Sequence, residues 1–283
     1  MNYRIDEDTK LIREMLLLSR QELGNFIGVD NKTIARIENC DVYPLLETME
    51  KIYSFSYNKG IKLNFIKEML YKEEKPHSSI IFHGSKDEII GPISVSHGRK
   101  TNDFGQGFYC GESAEQTTSF IARFEKSSMY MIEFKENDLK KITFNVDRDW
   151  MLAIAYFRGR LEKYKDSDVI KKIIKRVSNA DVIYAPIADN RMFRIIDRFI
   201  DGEITDEQCK HCLAATNLGK QYVFLTEKAV SQLKVLEKCY ISKPEREFYI
   251  EQKKNELQDA DNKVRYAMIK YKNDGKYLEE ILV

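Results

Sequence analysis

Through the first quarter of the chain, apolar residues recur at every third or fourth position, the spacing of helices with one buried face. TKLIREMLLLS predicts a first helix. SRQELGNFIGV opens on Ser19 with Glu22 three residues later, a reciprocal capping pattern, so a second helix starts at Ser19 and stops at Gly28. Asp30 or Asn31 caps a third, KTIARIEN. A fourth, YPLLETMEKIYSFS, has Pro44 near its start, where a missing N–H does no harm, and IKLNFIKEMLYKE supplies a fifth. YKEEKPHSS is charged, contains Pro76, has little to bury and reads as a linker.

After residue 78 the period changes. SSIIFHGS is a short apolar strand, and SMYMIEFK and KKITFNV alternate as strands do. Between them, NDFGQGFYCGES places Gly105 and Gly107 around Gln106, and Ser113 caps a helix, SAEQTTSFIARFE. A lone GxG is weak evidence for a phosphate loop, because the third glycine of that pattern is missing. DWMLAIAYFRGRLEKY, SDVIKKIIKRV, MFRIIDRFIDG and TDEQCKHCLAATN read as helices, and ADVIYAP as a strand ending at Pro186. GKQYVFLTEKAVSQLKVLEKCYIS reads as strand, turn, helix and a further strand. The tail from Pro244 to Val283 predicts an amphipathic helix that packs on the preceding domain or on a second copy. The fold class is α+β: an all-α bundle over 1–75, a domain of short, mainly antiparallel strands over 78–242, and a helical tail over 243–283.

Composition narrows the function. The chain of 283 residues is 43% hydrophobic, enough for one large or two modest cores. Its net charge of +1 excludes a global basic field for nucleic acid or lipid. No apolar run approaches a membrane span, and the acidic start MNYRIDEDTK is no secretory signal, so a cytoplasmic protein is expected. Five thinly spread cysteines fit reduced thiols better than a disulfide framework. Cys209 and Cys212 flank His211 with knuckle spacing, but Cys239 is the only further thiol nearby. A partly buried helical pair is therefore expected, with no metal.

Within the first quarter, Arg13 followed by SRQELGNFIGVDNKTIARIENCDVYPLLETMEKIY resembles the Cro- and lambda-repressor-like helix-turn-helix family. In that family the third helix enters the major groove. The resemblance implies DNA contact by Gln21, Asn31, Lys32, Thr33 and Arg36. Residues 1–75 hold one more carboxylate than base, so binding would depend on local charge or dimer formation, or the bundle would serve as a protein-docking module.

FHGS, FGQGFY and KQYVFLTEKAVSQL, in that order, resemble the ADP-ribosyltransferase superfamily, in the branch of the poly(ADP-ribose) polymerases and diphtheria-type toxins. The likeness is greatest to small bacterial domains of unknown function that carry FGxGFY and a third-place glutamine; APIADN also looks like part of them. The resemblance implies NAD as substrate, bound in a cleft between two small sheets. By likeness His83 holds a ribose, the Gly84 backbone pairs with the nicotinamide carboxamide, Tyr109 stacks on the nicotinamide, and Ser85, Gly107 and Asn102 line the site. The family's third residue is a carboxylate that steadies an oxocarbenium-like ribose. Gln221 stands there, and an amide carries no full charge and cannot act as a base. Polymer building is therefore not expected. Single transfer needs an acid from elsewhere, with Asp103, Glu112, Glu115 and Asp189 as candidates.

The expectation is a mono-ADP-ribosyltransferase with catalytic residues His83, Tyr109 and Gln221, joined to a targeting or regulatory helix-turn-helix. A toxin or phage-defence role follows by analogy, with a protein or nucleic-acid acceptor, an antitoxin partner, a homodimer and no membrane contact. The alternatives are a DNA-binding regulator whose second domain binds NAD or a nucleotide without catalysis, and an interaction protein with neither activity.

Overall fold

The structure, a computed structural model, describes residues 2–124, 126–215 and 219–283, with the backbone alone at 257–260. The elements run α1 (Ile5–Met15), α2 (Arg20–Ile27), α3 (Asn31–Glu38), α4 (Leu46–Asn58), α5 (Leu63–Glu74), β1 (Ser79–Ser85), β2 (Phe108–Gly111), α6 (Ala114–Ile121), β3 (Ser128–Phe134) and β4 (Lys141–Thr143). They continue with α7 (Arg148–Phe157), α8 (Asp168–Ser178), β5 (Val182–Pro186), α9 (Asn190–Ile200), α10 (Asp206–Ala214), β6 (Lys220–Phe224), α11 (Glu227–Val230), β7 (Leu233–Cys239), α12 (Lys243–Lys270) and α13 (Leu278–Leu282). The fold is α+β, and its strand pairs are mainly antiparallel. By compactness the chain forms two units, each built from separated segments. The first is Met1–Glu88, Ser113–Lys135 and Lys234–Lys253; the second is Ile89–Glu112, Glu136–Leu233 and Lys254–Val283.

In the first unit, local chemistry sets the helix ends. Ser19 accepts the Glu22 amide, and the Glu22 carboxylate takes the Ser19 amide at 2.7 Å. Asp30, not Asn31, caps α3 through the Thr33 amide at 2.6 Å. Two expected starts shift. α1 begins at Ile5, where Asp6, Glu7 and Asp8 suit the positive end of the helix dipole. α4 begins after Pro44, because Leu45 keeps extended backbone. Ile12, Leu23, Ile34, Ile37, Met49 and Ile52 fill the core of the bundle. Buried Glu38 ties three helices together, 2.6 Å from Arg13 and 2.7 Å from Arg20.

The strand neighbours in this unit are β1, β3 and β7. β1 and β3 pair antiparallel from Ser79↔Phe134 to Ser85↔Ser128. Ile80 and Phe82 join Ile121 of α6 in one apolar cluster, and Gly84 shares their face. A side chain at Gly84 would meet Thr117 and Ile121, each at 2.8 Å, so α6 requires the glycine. Lys67 of α5 is buried; it donates to Asp8 at 2.7 Å and pairs with Glu237 of β7 at 2.7 Å. Burial works against its charge, but Asp8 and Glu237 outweigh that and hold the ammonium above its usual range.

Glu245, in the first turn of α12, is buried, and burial raises its carboxyl to about 7 despite bonds to the Ser242 backbone and Asn64. A raised folded-state value means stability that is full below the unfolded value and falls away as pH rises through about 7. Glu245→Gln is expected to stabilise the protein at pH 8 by on the order of 2–3 kcal/mol and to change nothing at pH 4, as urea titrations at both pH values will read.

In the second unit the strand order is β4-β5-β6-β2, with β4 parallel to β5 and the other pairs antiparallel. Trp150, Ile154, Ile183, Phe199 and Val223 lie at the centre of its core. The expected helix over 149–164 stops at Phe157, with Gly159 at φ +81° just beyond. The helix expected over 205–217 starts from a Thr205 capping box; its last expected residues, 216 and 217, lie outside the described residues. Cys209 and Cys212 are buried on α10, their thiols donating to the Ile195 and Val264 carbonyls. Burial pushes the Cys212 thiol up to about 11. The tail is helical but carries no single stripe. Tyr249 is buried in the first unit, whereas Ala267, Leu278 and Leu282 enter the core of the second. No helix among the described residues is long and apolar enough to cross a membrane.

Candidate functional site

FGQGFY is not a hairpin bend. It delivers the chain into β2, which pairs antiparallel with β6 more than a hundred residues later: Tyr109↔Val223 and Gly111↔Gln221. Tyr109 and Gln221 are therefore diagonal neighbours on one face of the pair. Gly107 is needed because an added Cβ would come 2.8 Å from the Phe224 carbonyl, and one at Gly98 would come 2.1 Å from the Gly107 carbonyl. Gln106 locks this close passage by donating to the carbonyls of Ser96 (2.7 Å) and Gly98 (3.2 Å).

The Tyr109 phenol donates to the Gly105 carbonyl at 2.8 Å and accepts the Phe104 amide at 3.1 Å. Burial pushes it well above the usual tyrosine range. Its ring packs on the second unit's core. The hydroxyl thus clips the FGQG turn onto β2; it is not poised for proton transfer.

Gln221 is 6% exposed. Its Nε2 donates to Asp103 Oδ2 at 2.8 Å and to the Pro186 carbonyl at 3.3 Å, while Oε1 takes part in neither bond. Of the four acids proposed from sequence, Asp103 is the one that touches Gln221. It is 5% exposed and does not stand alone: Arg158 Nε donates to Oδ1 at 2.9 Å, and the Ala188 amide donates to Oδ2 at 3.3 Å. The Arg158 guanidinium also reaches the Ala188 carbonyl and lies 4.4 Å from the Phe193 ring centroid. The result is a buried amide–carboxylate–guanidinium chain whose charges nearly balance.

The remaining acids are otherwise engaged. Glu112 accepts the Tyr184 phenol at 2.8 Å. Asp189 caps α9 through the amides of Arg191 and Met192. Glu115, in the first unit, pairs with Lys62 at 2.8 Å. In APIADN, Pro186 receives Gln221 and Trp150, Ala188 receives Arg158, and Asp189 caps a helix, so the motif is a hub for this network. Asn102 accepts the Gly105 amide at 3.1 Å within the turn. Sequence reasoning missed Arg158. It is the residue just after α7, at the end of an apolar run, and nothing local marks it as Asp103's partner.

His83, Gly84 and Ser85 belong to the first unit, at the end of β1. His83 is half-buried and registers opposite Tyr130, on the strand face away from Gly84. The Ser85 hydroxyl donates to the Asp87 carbonyl. On the helical bundle, Gln21, Asn31, Lys32 and Arg36 are exposed and Thr33 is half-buried. Gln21 donates to Asn25 at 2.8 Å. Among the described residues no cluster of three or more His, Cys, Asp or Glu is placed to hold a metal ion.

Residues 79–235, which carry β1, the FGQG turn, Gln221 and the APIADN hub, match the family described as "Protein of unknown function (DUF3990)". The chain belongs to the DUF3990 family. Comparison with curated proteins and with solved structures found no match. The DUF3990 segment takes in both the His83 strand and the Asp103–Gln221 network, and the helical bundle precedes it.

Proposed function

We propose that the DUF3990 segment is an NAD-dependent mono-ADP-ribosyltransferase and that the preceding helix-turn-helix-like bundle targets or regulates it. The observation that carries this reading is the 2.8 Å bond from Gln221 to Asp103 beside Tyr109. Asp103 sets a carboxylate beside Gln221, where this chain lacks the carboxylate of the pattern it resembles, and it engages Nε2 so that Oε1 is the end left for a ribose hydroxyl. In the reaction the bond from ribose C1′ to the nicotinamide nitrogen breaks, and nicotinamide leaves with the bonding pair. An acceptor nucleophile on a protein or nucleic acid then bonds to C1′ and releases its proton. By the resemblance alone, the proposed role of His83 is to hold the ribose and that of the Tyr109 ring is to support the nicotinamide. A cytoplasmic location, an antitoxin partner, a homodimer and a toxin or defence role belong to the same proposal.

Purified wild type is expected to release nicotinamide from NAD, with His83→Ala at least about 100-fold slower. Chromatography of the reaction mixture reads both. No release by wild type, or equal release by the variant, overturns the reading.

A second reading is a DNA-binding regulator that binds NAD without catalysis. It is favoured by the exposed Asn31, Lys32 and Arg36 on α3 and by Arg158, which already balances Asp103. Calorimetric NAD binding without nicotinamide release would select it.

A further inference from the structure

The bases of this chain are unevenly spread. Overall net charge is +1, yet α8 carries Lys171, Lys172, Lys175 and Arg176, with Asp168 its single acid. Beside α8 runs a groove of about 420 Å³. Lys172 and Arg176 form one wall, and Arg148 and Lys276 add two further bases. Val169, Ile173 and Ile281 supply aliphatic surface, and Asp149 and Glu280 are its acids.

Two of these cations are held in place. Arg148 Nε lies 2.7 Å from Asp206. Arg176 donates to the Thr143 carbonyl at 2.9 Å, faces Asp149 at 3.3 Å and lies 4.2 Å from the Phe144 ring centroid. Lys172 and Lys276 are exposed and form no ion pair among the described residues. Along α8, Lys171/Lys175 and Lys172/Arg176 make two rows, each rising about 6 Å from one base to the next.

We propose that this groove and the α8 rows bind the phosphate backbone of a single nucleic-acid strand. The charge is serial and leaves the groove onto an open helix face, as a polyanion requires and a compact anion does not. The recessed part has the size of a single nucleotide, too small for a duplex, and its aliphatic surface can take one base. An acidic peptide would find only that small patch to anchor an apolar side chain. The inference stands apart from the transferase reading, so failure of nicotinamide release leaves it untouched; within that reading, the strand is a candidate acceptor.

Fluorescence anisotropy of labelled dT20 with the full chain tests it. Wild type is expected to bind, with affinity falling as NaCl rises from 50 to 200 mM. K172E/K276E is expected to bind at least tenfold more weakly and to flatten the salt slope by about 1.4, or about 0.7 per lost phosphate contact. K10E/K51E, the same charge change on exposed lysines of the first unit, is expected to stay within twofold of wild type. No binding at 50 mM NaCl, no loss in K172E/K276E, an equal loss in K10E/K51E, or binding of a polyglutamate 20-mer as tight as dT20 would each overturn the assignment.

Discussion

Lys67→Met is expected to lower the unfolding free energy by about 3–5 kcal/mol at pH 7, because it strips the cation from a buried cluster and leaves its carboxylates facing each other. Asp8 and Glu237 both lie within 2.7 Å of the ammonium, and Tyr53 binds the far oxygen of Asp8 at 2.6 Å. Burial already pushes Glu237 up, against the pull of Lys67. Without Lys67, at least one carboxyl must take a proton to remain folded. Its folded-state value then lies above the unfolded one, so stability returns as pH falls and is lost as pH rises. Urea titrations at pH 5 and pH 8 should show a small deficit at the lower pH and a large one at the higher. An equal deficit at both would mean that lost packing, not unpaired charge, is the cause.

Gln221→Glu is expected to cost about 2–4 kcal/mol at pH 7, although it brings the sequence closer to the pattern it resembles. In place of an amide donor 2.8 Å from Asp103, the variant sets a second carboxylate against the first, in a site where Asp103 is 5% and Gln221 6% exposed. Arg158 is a single cation and already serves Asp103. The introduced carboxyl is held above its unfolded value, so the deficit shrinks towards pH 5 and grows towards pH 8. Nicotinamide release is expected not to rise above wild type at pH 7.5. A variant as stable as wild type and faster would show that Asp103 and residue 221 are uncoupled, and would remove the observation on which the proposed function rests.

Much of the fold could be read locally. The Ser19–Glu22 box, the Asp30 cap and the Ser113 cap sit where the residue types predict, because a cap is a bond between neighbours in sequence. β1 ends at Ser85 and β5 at Pro186, as their apolar runs imply. Pro44 misled, since it lies just before its helix. At Gly84, α6 lies over the backbone and leaves no room for a side chain, a contact with no local signature. The phenol of Tyr109 holds its own turn, and its ring serves the core.

By itself, then, the sequence determined the helix and strand types, most of their ends, the change of period after residue 78 and the membership of 79–235 in one family. These follow from hydrophobic period and from bonds that span a few residues. Only the tertiary structure decided which distant residues meet: Lys67 with Asp8 and Glu237, Gln221 with Asp103, and Arg158 with Asp103 and Ala188. It also decided that residues 113–135 and 234–253 complete the same unit as the helical bundle. The reason is physical. A buried charge or amide must find its partner in three dimensions, and the partner's place along the chain is set by how strands register and helices pack, not by spacing in sequence.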